Sequence, residues 1–91
     1  MRARRVDDNQ SDIIKALRAI GCTVADTSGA GNGFPDIVAG RFGINYMIEI
    51  KDGKKSKSRR SLTRAQELFH ETWRGQIVVV ESIEEAIQVV T

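Results

Sequence analysis

Three side chains in this sequence combine type and spacing in a way that suits hydrolysis of a phosphodiester: Asp36, Glu49 and Lys51. Side chains alternate along a strand, so in a strand over 44–51 Glu49 and Lys51 project from one face while Ile48 and Ile50 project from the other. Asp36 follows Pro35, whose ring fixes the local backbone, and opens the neighbouring strand. Two carboxylates at the ends of adjacent strands suit one shared hard divalent cation, which prefers oxygen ligands. The Ile50 carbonyl lies between them as a further oxygen. A metal polarises a phosphoryl group and lowers the pKa of a bound water, and Lys51 is placed to orient that water or offset charge growing on a phosphate oxygen. The plainer alternative is a cross-strand salt bridge with Glu49 and Lys51 as solvated strand residues, and a lone E-x-K tripeptide does not exclude it. Here the tripeptide follows Asp36 by thirteen residues and runs directly into a basic stretch.

That stretch is the second feature. Residues 51–64 hold seven basic residues and one acid, a charge of +6, whereas the rest holds seven basic residues against eleven acids, or −4. A basic segment on an acidic body points to a polyanion partner on one face. Lys54, Lys55, Lys57, Arg59, Arg60 and Arg64 are expected to contact phosphates and position a duplex, with Arg2, Arg4 and Arg5 as a further basic arm. A solvated lysine-rich loop is the alternative.

The positioning elements are legible from periodicity. Ile13, Leu17 and Ile20 recur at helical spacing, with Asp7, Asp8 or Asn9 as cap and Gly21 as stop. Strands are predicted over 22–25, 37–39, with Gly40 and Gly43 as turn residues, and 44–51. The glycines between Ser28 and Gly33 prevent regular structure and are read as a flexible loop that lets a substrate approach. A second helix starts at Thr63 with Ala65, Phe69 and Trp73 inward. Ile77 to Val80 reads as a strand buried on both faces. Ser82 and Glu85 form a capping box for a last helix through Ala86, Ile87 and Val90. The order is αβββαβα, an α/β domain with a small mixed sheet flanked by helices.

Composition bounds the remaining classes. Ninety-one residues are read as one domain over 1–91, and 41% apolar with 29% charged residues is ordinary globular usage. One cysteine, Cys22, forms no internal disulfide. The apolar runs are too short to span a bilayer, and no apolar stretch follows the N-terminal arginines, so no secretory signal is read. A soluble, cytoplasmic domain is expected. The glycine run lacks the Gly-Lys-Ser/Thr ending of a phosphate loop and the spacing of a dinucleotide fingerprint, so no nucleotide cofactor is expected. His70 reads as a solvated surface residue, and without His or Cys partners no zinc site is expected.

Pro35-Asp36 followed by Glu49-Ile50-Lys51 resembles the signature of the PD-(D/E)xK nuclease superfamily, whose restriction-endonuclease-like core has the order αβββαβ. The stretches GAGNGFPDIVAG (29–40), MIEIKDG (47–53) and LTRAQELF (62–69) are similar to the small phage and bacterial VRR-NUC proteins, relatives of Holliday junction resolvases. The resemblance covers nearly the whole chain. It implies an endonuclease dependent on Mg²⁺ or Mn²⁺, with metal on Asp36, Glu49 and the Ile50 carbonyl and catalysis by Lys51. The expected activity is structure-specific cleavage of branched DNA by a homodimer in a bacterial or phage-infected cell. The alternatives are a nuclease of linear, nicked or flap DNA, or a non-catalytic DNA-binding protein.

The sequence departs from that family at one position. A glutamate is usual on the first helix where this chain has Gln10. At 100° per residue Gln10 falls about 60° from Ile13, inside the apolar stripe, whereas Asp12 is a poorer inward candidate. An amide oxygen ligates a hard cation more weakly than a carboxylate, and the other reading is that Gln10 belongs to a cap with Asp7. Gln66 lies on the inward stripe of the second helix, where the family often carries glutamine, and is also the fourth residue of a Thr63-x-x-Gln66 capping box.

Overall fold

A computed structural model describes residues 9–91. The Asp7 and Asp8 caps and the Arg2, Arg4 and Arg5 arm lie outside them. The elements are α1 (Gln10–Ala19), β1 (Thr23–Asp26), β2 (Ile37–Arg41), β3 (Ile44–Ile50), a 3₁₀ turn (Lys57–Arg60), α2 (Arg64–Thr72), β4 (Ile77–Val80) and α3 (Ile83–Val90). The four strands form one mixed sheet in the order β1-β2-β3-β4. The first three pair antiparallel and β4 joins β3 in parallel, which requires a crossover that α2 supplies.

Alternation along β3 decides which helix packs where. Ile48 and Ile50 meet Ile37, Ala39 and Val80 in a core closed by Ile13, Ile14 and Leu17 of α1 and by Ala86 and Val90 of α3. Glu49 and Lys51 project from the opposite face, under α2. The chain ends that matter for chemistry gather at one end of the sheet, where β1, β3 and β4 finish and β2 begins. The N-terminus of α1 is held there, because the Asn9 side-chain amide donates to the Lys51 and Glu81 carbonyls at 3.2 and 3.4 Å. Asn9 is thus the N-cap residue by position, but its side chain makes no capping bond.

Several sequence expectations need correction. The strand predicted at 22–25 starts one residue later because Cys22 is spent ending α1. Its N–H donates to Leu17 and that of Gly21 to Arg18, at 3.0 and 3.1 Å, with Gly21 left-handed at φ 101°, the Schellman arrangement. Gly40 is no turn residue but a strand position, paired with Thr23 and Asn45. The hairpin turns instead at Phe42 and Gly43, both at positive φ, a two-residue turn of the type that follows strand twist. The side-chain cost of a left-handed Phe42, about 1–2 kcal/mol, is partly offset by the Arg41 guanidinium 4.3 Å from its ring centroid.

β4 is an edge strand and is not buried on both faces: Val80 is buried but Val79 is 36% exposed. Ala65 is exposed, and Trp73 is 43% exposed, because α2 ends at Thr72 and Trp73 leaves the stripe to stack on Phe69, which meets Phe34 edge-on. Only half of the Ser82–Glu85 box forms. Ser82 accepts from the Glu85 N–H, but the Glu85 carboxylate accepts from Glu81, one residue before the cap. Among the described residues no helix is long and apolar enough to cross a membrane.

Candidate active site

The strand register brings the two carboxylates together. Ile37 pairs with Ile48, and continuing that register by one residue sets Asp36 opposite Glu49 on the same face. Thr27 fixes the approach to Asp36: its N–H donates to the Asp36 carbonyl at 2.8 Å and its hydroxyl to the Pro35 carbonyl at 2.7 Å. Asp36 Oδ2 accepts the Ile50 N–H at 2.8 Å. The next N–H along, that of Lys51, turns the other way to Val80. Backbone groups alternate in this manner along a strand, so the Ile50 carbonyl faces the Asp36 side with its own N–H.

Asp36 is 4% exposed, Glu49 1%, Lys51 8%, Gln66 6% and Gln10 4%. Burying charged side chains at this density is costly unless each is paired, and Gln66 supplies partners for Glu49 and Lys51. Its amide nitrogen donates to Glu49 Oε2 at 3.0 Å, and its carbonyl oxygen accepts from Lys51 Nζ at 2.9 Å. The same oxygen accepts the Thr63 N–H at 2.9 Å while Thr63 Oγ1 accepts the Gln66 N–H, so the capping box is complete. The capping box and the inward position expected of Gln66 are both present: the cap starts α2, and the amide bonds Glu49 and Lys51 beneath it. Lys51 Nζ and Glu49 Oε2 lie 3.8 Å apart. The solvated salt bridge considered for this pair does not describe it, because neither side chain is in solvent.

The glycine loop packs against α2. Gly33 is left-handed at φ 78°, and a Cβ there would collide with the Ala65 carbonyl. The backbone of the loop therefore approaches the start of α2 as no other residue would permit.

Gln10 faces inward as its helical angle requires. Its amide nitrogen donates to Asp26 Oδ1 at 3.4 Å, and its carbonyl oxygen is buried without a hydrogen-bond partner among the described residues. Asp12 is exposed. Among the described residues no three His, Cys, Asp or Glu side chains converge, so a cation here would rely on two carboxylates completed by amide and backbone oxygens. That donor set is all oxygen and suits Mg²⁺ or Mn²⁺, and the orphaned Gln10 oxygen is the kind of atom such an ion would satisfy.

The basic segment divides. Lys54, Lys57, Arg59 and Arg64 are exposed, and Lys55 and Arg60 are half-buried. Arg60 is committed to structure: its guanidinium donates to both Glu81 carboxylate oxygens at 3.0 and 3.3 Å and to the Lys55 carbonyl at 2.9 Å. Arg64 sits 3.7 Å from Glu67 across exposed surface.

Two residues near the site escaped sequence reasoning. His70 is half-buried, not solvated, and its Nε2 is buried without a hydrogen-bond partner among the described residues. Burial lowers its pKa and the nearby charge of Lys51 lowers it further. The available signal was its position, one turn after Gln66 on the same helical face. The second is Asp26, whose only signal was its place at the end of β1.

The fold is supported by comparison with solved structures. No protein-family model matches the sequence, and no curated protein matches it. A solved structure described as a VRR_NUC domain superposes with a TM-score of 0.65 at 23% identity, covering 89% of this chain and 88% of that one. The chain therefore has the VRR-NUC fold, a restriction-endonuclease-like α/β arrangement with a four-stranded mixed sheet.

Proposed function

We propose that this protein is a DNA endonuclease dependent on Mg²⁺ or Mn²⁺. The observation that carries the reading is the burial of Asp36, Glu49 and Lys51 together at one sheet end, with Asp36 in register with Glu49. A binding protein gains nothing from burying such a trio, whose desolvation opposes folding. Similarity of fold to a VRR_NUC domain supports the same reading.

Asp36, Glu49 and the Ile50 carbonyl would hold the cation, with the Gln10 carbonyl as a neutral fourth oxygen. When bound, such an ion supplies Lewis-acid polarisation of the scissile phosphodiester and acidifies water. The chain's own contribution is positioning and charge. Lys51 has three donors and the Gln66 bond takes one, so the ammonium is held rigidly with capacity left for a phosphate oxygen. There it offsets the negative charge that grows during displacement. Lys54, Lys57, Arg59 and Arg64, with Lys55, would contact backbone phosphates and set the register of the duplex.

The preferred substrate we propose is branched DNA. One site per chain and two strands to cut favour a homodimer, and so small a domain reads DNA shape more readily than sequence. The test is incubation with a labelled four-way junction, a linear duplex and a flap, each with and without Mg²⁺ and Mn²⁺. Metal-dependent cleavage of the junction in preference to the others is the expected result. Preferential cleavage of linear or flap DNA would reassign the substrate, and binding without cleavage under any metal would reduce the protein to a DNA-binding fold.

A further inference from the structure

The Gln10 amide is oriented by chemistry rather than by packing alone. Asp26 Oδ1 accepts three donors: the Ser28 hydroxyl at 2.6 Å, the Ser28 N–H at 3.0 Å and the Gln10 amide nitrogen at 3.4 Å. All three bonds use that oxygen as the acceptor. Gln10 must therefore present its NH₂ to Asp26, and its carbonyl oxygen is turned to the opposite side of a planar group.

The sheet order shows which strand ends the start of α1 spans. Asn9 is tied to Lys51 and Glu81, at the ends of β3 and β4, while Gln10 reaches Asp26 at the end of β1. The first turn of α1 thus bridges β1 to β3, and the strand between them is β2, which begins beside Asp36. The inward carbonyl is 96% buried with its residue and lacks a hydrogen-bond partner among the described residues. Such an oxygen costs free energy unless something occupies it.

We propose that Asp26 is a positioning residue: by accepting from the Gln10 amide nitrogen, it turns the Gln10 carbonyl toward Asp36 as a neutral ligand for the shared cation. This rests on the metal-dependent reading above. Asp26 itself stands on exposed surface and acts only through Gln10. Ser28 completes the relay by fixing the carboxylate.

The experiment is calorimetric titration of the full chain with Mn²⁺ alone, without DNA, beside metal-free thermal melts. Asp26→Ala should lower Mn²⁺ affinity by about tenfold or more, the usual cost of losing a group that orients a ligand. Asp26→Asn should stay near wild type, because all three donors meet one oxygen that asparagine also carries. In a Gln10→Ala background, Asp26→Ala should have no further effect, the signature of a residue that acts through another. Unchanged affinity in Asp26→Ala overturns the proposal. So does an equal loss in Asp26→Asn, which would assign the effect to charge, or an Asp26 effect that persists without Gln10. A wild-type chain that binds no Mn²⁺ sinks the metal reading and this inference together. Binding that Asp36→Ala abolishes and Asp26→Ala leaves untouched sinks this inference alone.

Discussion

Lys51 donates to the Gln66 carbonyl at 2.9 Å, and that single bond joins a strand end to the first turn of the helix above it. The same amide holds Glu49, so one side chain pairs two buried charges and caps α2. Gln66→Ala keeps the Thr63 bond to the backbone N–H of residue 66 but should cost about 1–3 kcal/mol for leaving buried polar partners unsatisfied. Gln66→Glu separates the two roles. Glutamate serves a capping box as well as glutamine does and still accepts from Lys51, but it faces Glu49 with like charge. We expect Gln66→Glu to impair cleavage while denaturant melts show a smaller loss of stability than Gln66→Ala. Equal cleavage by Gln66→Glu and wild type would confine Gln66 to the helix cap.

The metal and the lysine separate by variant. Asp36→Ala and Glu49→Ala should each abolish Mn²⁺ binding and cleavage together. Lys51→Ala removes no oxygen ligand, so it should lose cleavage and keep the ion. It also leaves Glu49 buried beside a neutral neighbour, so its metal-free melt should fall and recover when Mn²⁺ is added. The measurement is calorimetry and thermal melting beside a junction-cleavage assay. Full cleavage by any of the three, with contaminating nuclease excluded, would remove that residue from the site.

What the sequence disclosed here was mostly periodicity. Alternation along 44–51 placed Glu49 and Lys51 on one face, and the helical angle from Ile13 turned Gln10 inward; the side chains lie on those faces and are buried. Periodicity is silent about what packs on the far side of an element. The run Ile77–Val80 reads as doubly buried, yet β4 ends the sheet and leaves Val79 at the edge. His70, flanked by acids, reads as solvated because its neighbours in sequence are; in space it is half-buried and feels the charge of Lys51. The contact of Gln10 with Asp26 was unreadable for a further reason, since it depends on where β1 stops, and Cys22 had first to be claimed by the end of α1. Asp36 standing opposite Glu49 required the β2–β3 register, which the Phe42–Gly43 turn sets.

The basic segment makes a prediction that Arg60 sharpens. If Lys54, Lys55 and Lys57 neutralise phosphates, log affinity for DNA should fall linearly with log salt, and replacing all three by alanine should flatten the slope by about three. Arg60→Ala should behave differently, because its guanidinium is held by Glu81 and Lys55. Its main effect should be loss of stability, about 1 kcal/mol for a partly exposed pair, with a smaller change of slope than the three lysines produce together. Fluorescence anisotropy across a salt series checks both. An unaltered slope in the triple-lysine variant would exclude this segment as the phosphate contact.

His70 gives a pH dependence with a fixed sign. Burial first, and the charge of Lys51 second, lower its folded-state pKa below the ordinary 6.5. The unfolded chain therefore binds a proton that the folded chain refuses, and stability must fall as pH drops from about 6.5 toward the folded value. One such group contributes at most about 1.4 kcal/mol per pH unit over that window. Asp26 is also lowered, but its contribution is lost only as pH falls below 3.8 toward its folded value, so the two do not overlap between pH 6.5 and 5. We expect urea melts of the wild type to weaken over that interval and those of His70→Gln to weaken less. Lys51→Met removes the second cause and keeps the first. The His70 pKa, followed by NMR, should then rise while staying below 6.5. An identical pH slope in wild type and His70→Gln would show that His70 titrates alike in both states, and would place its ring in solvent.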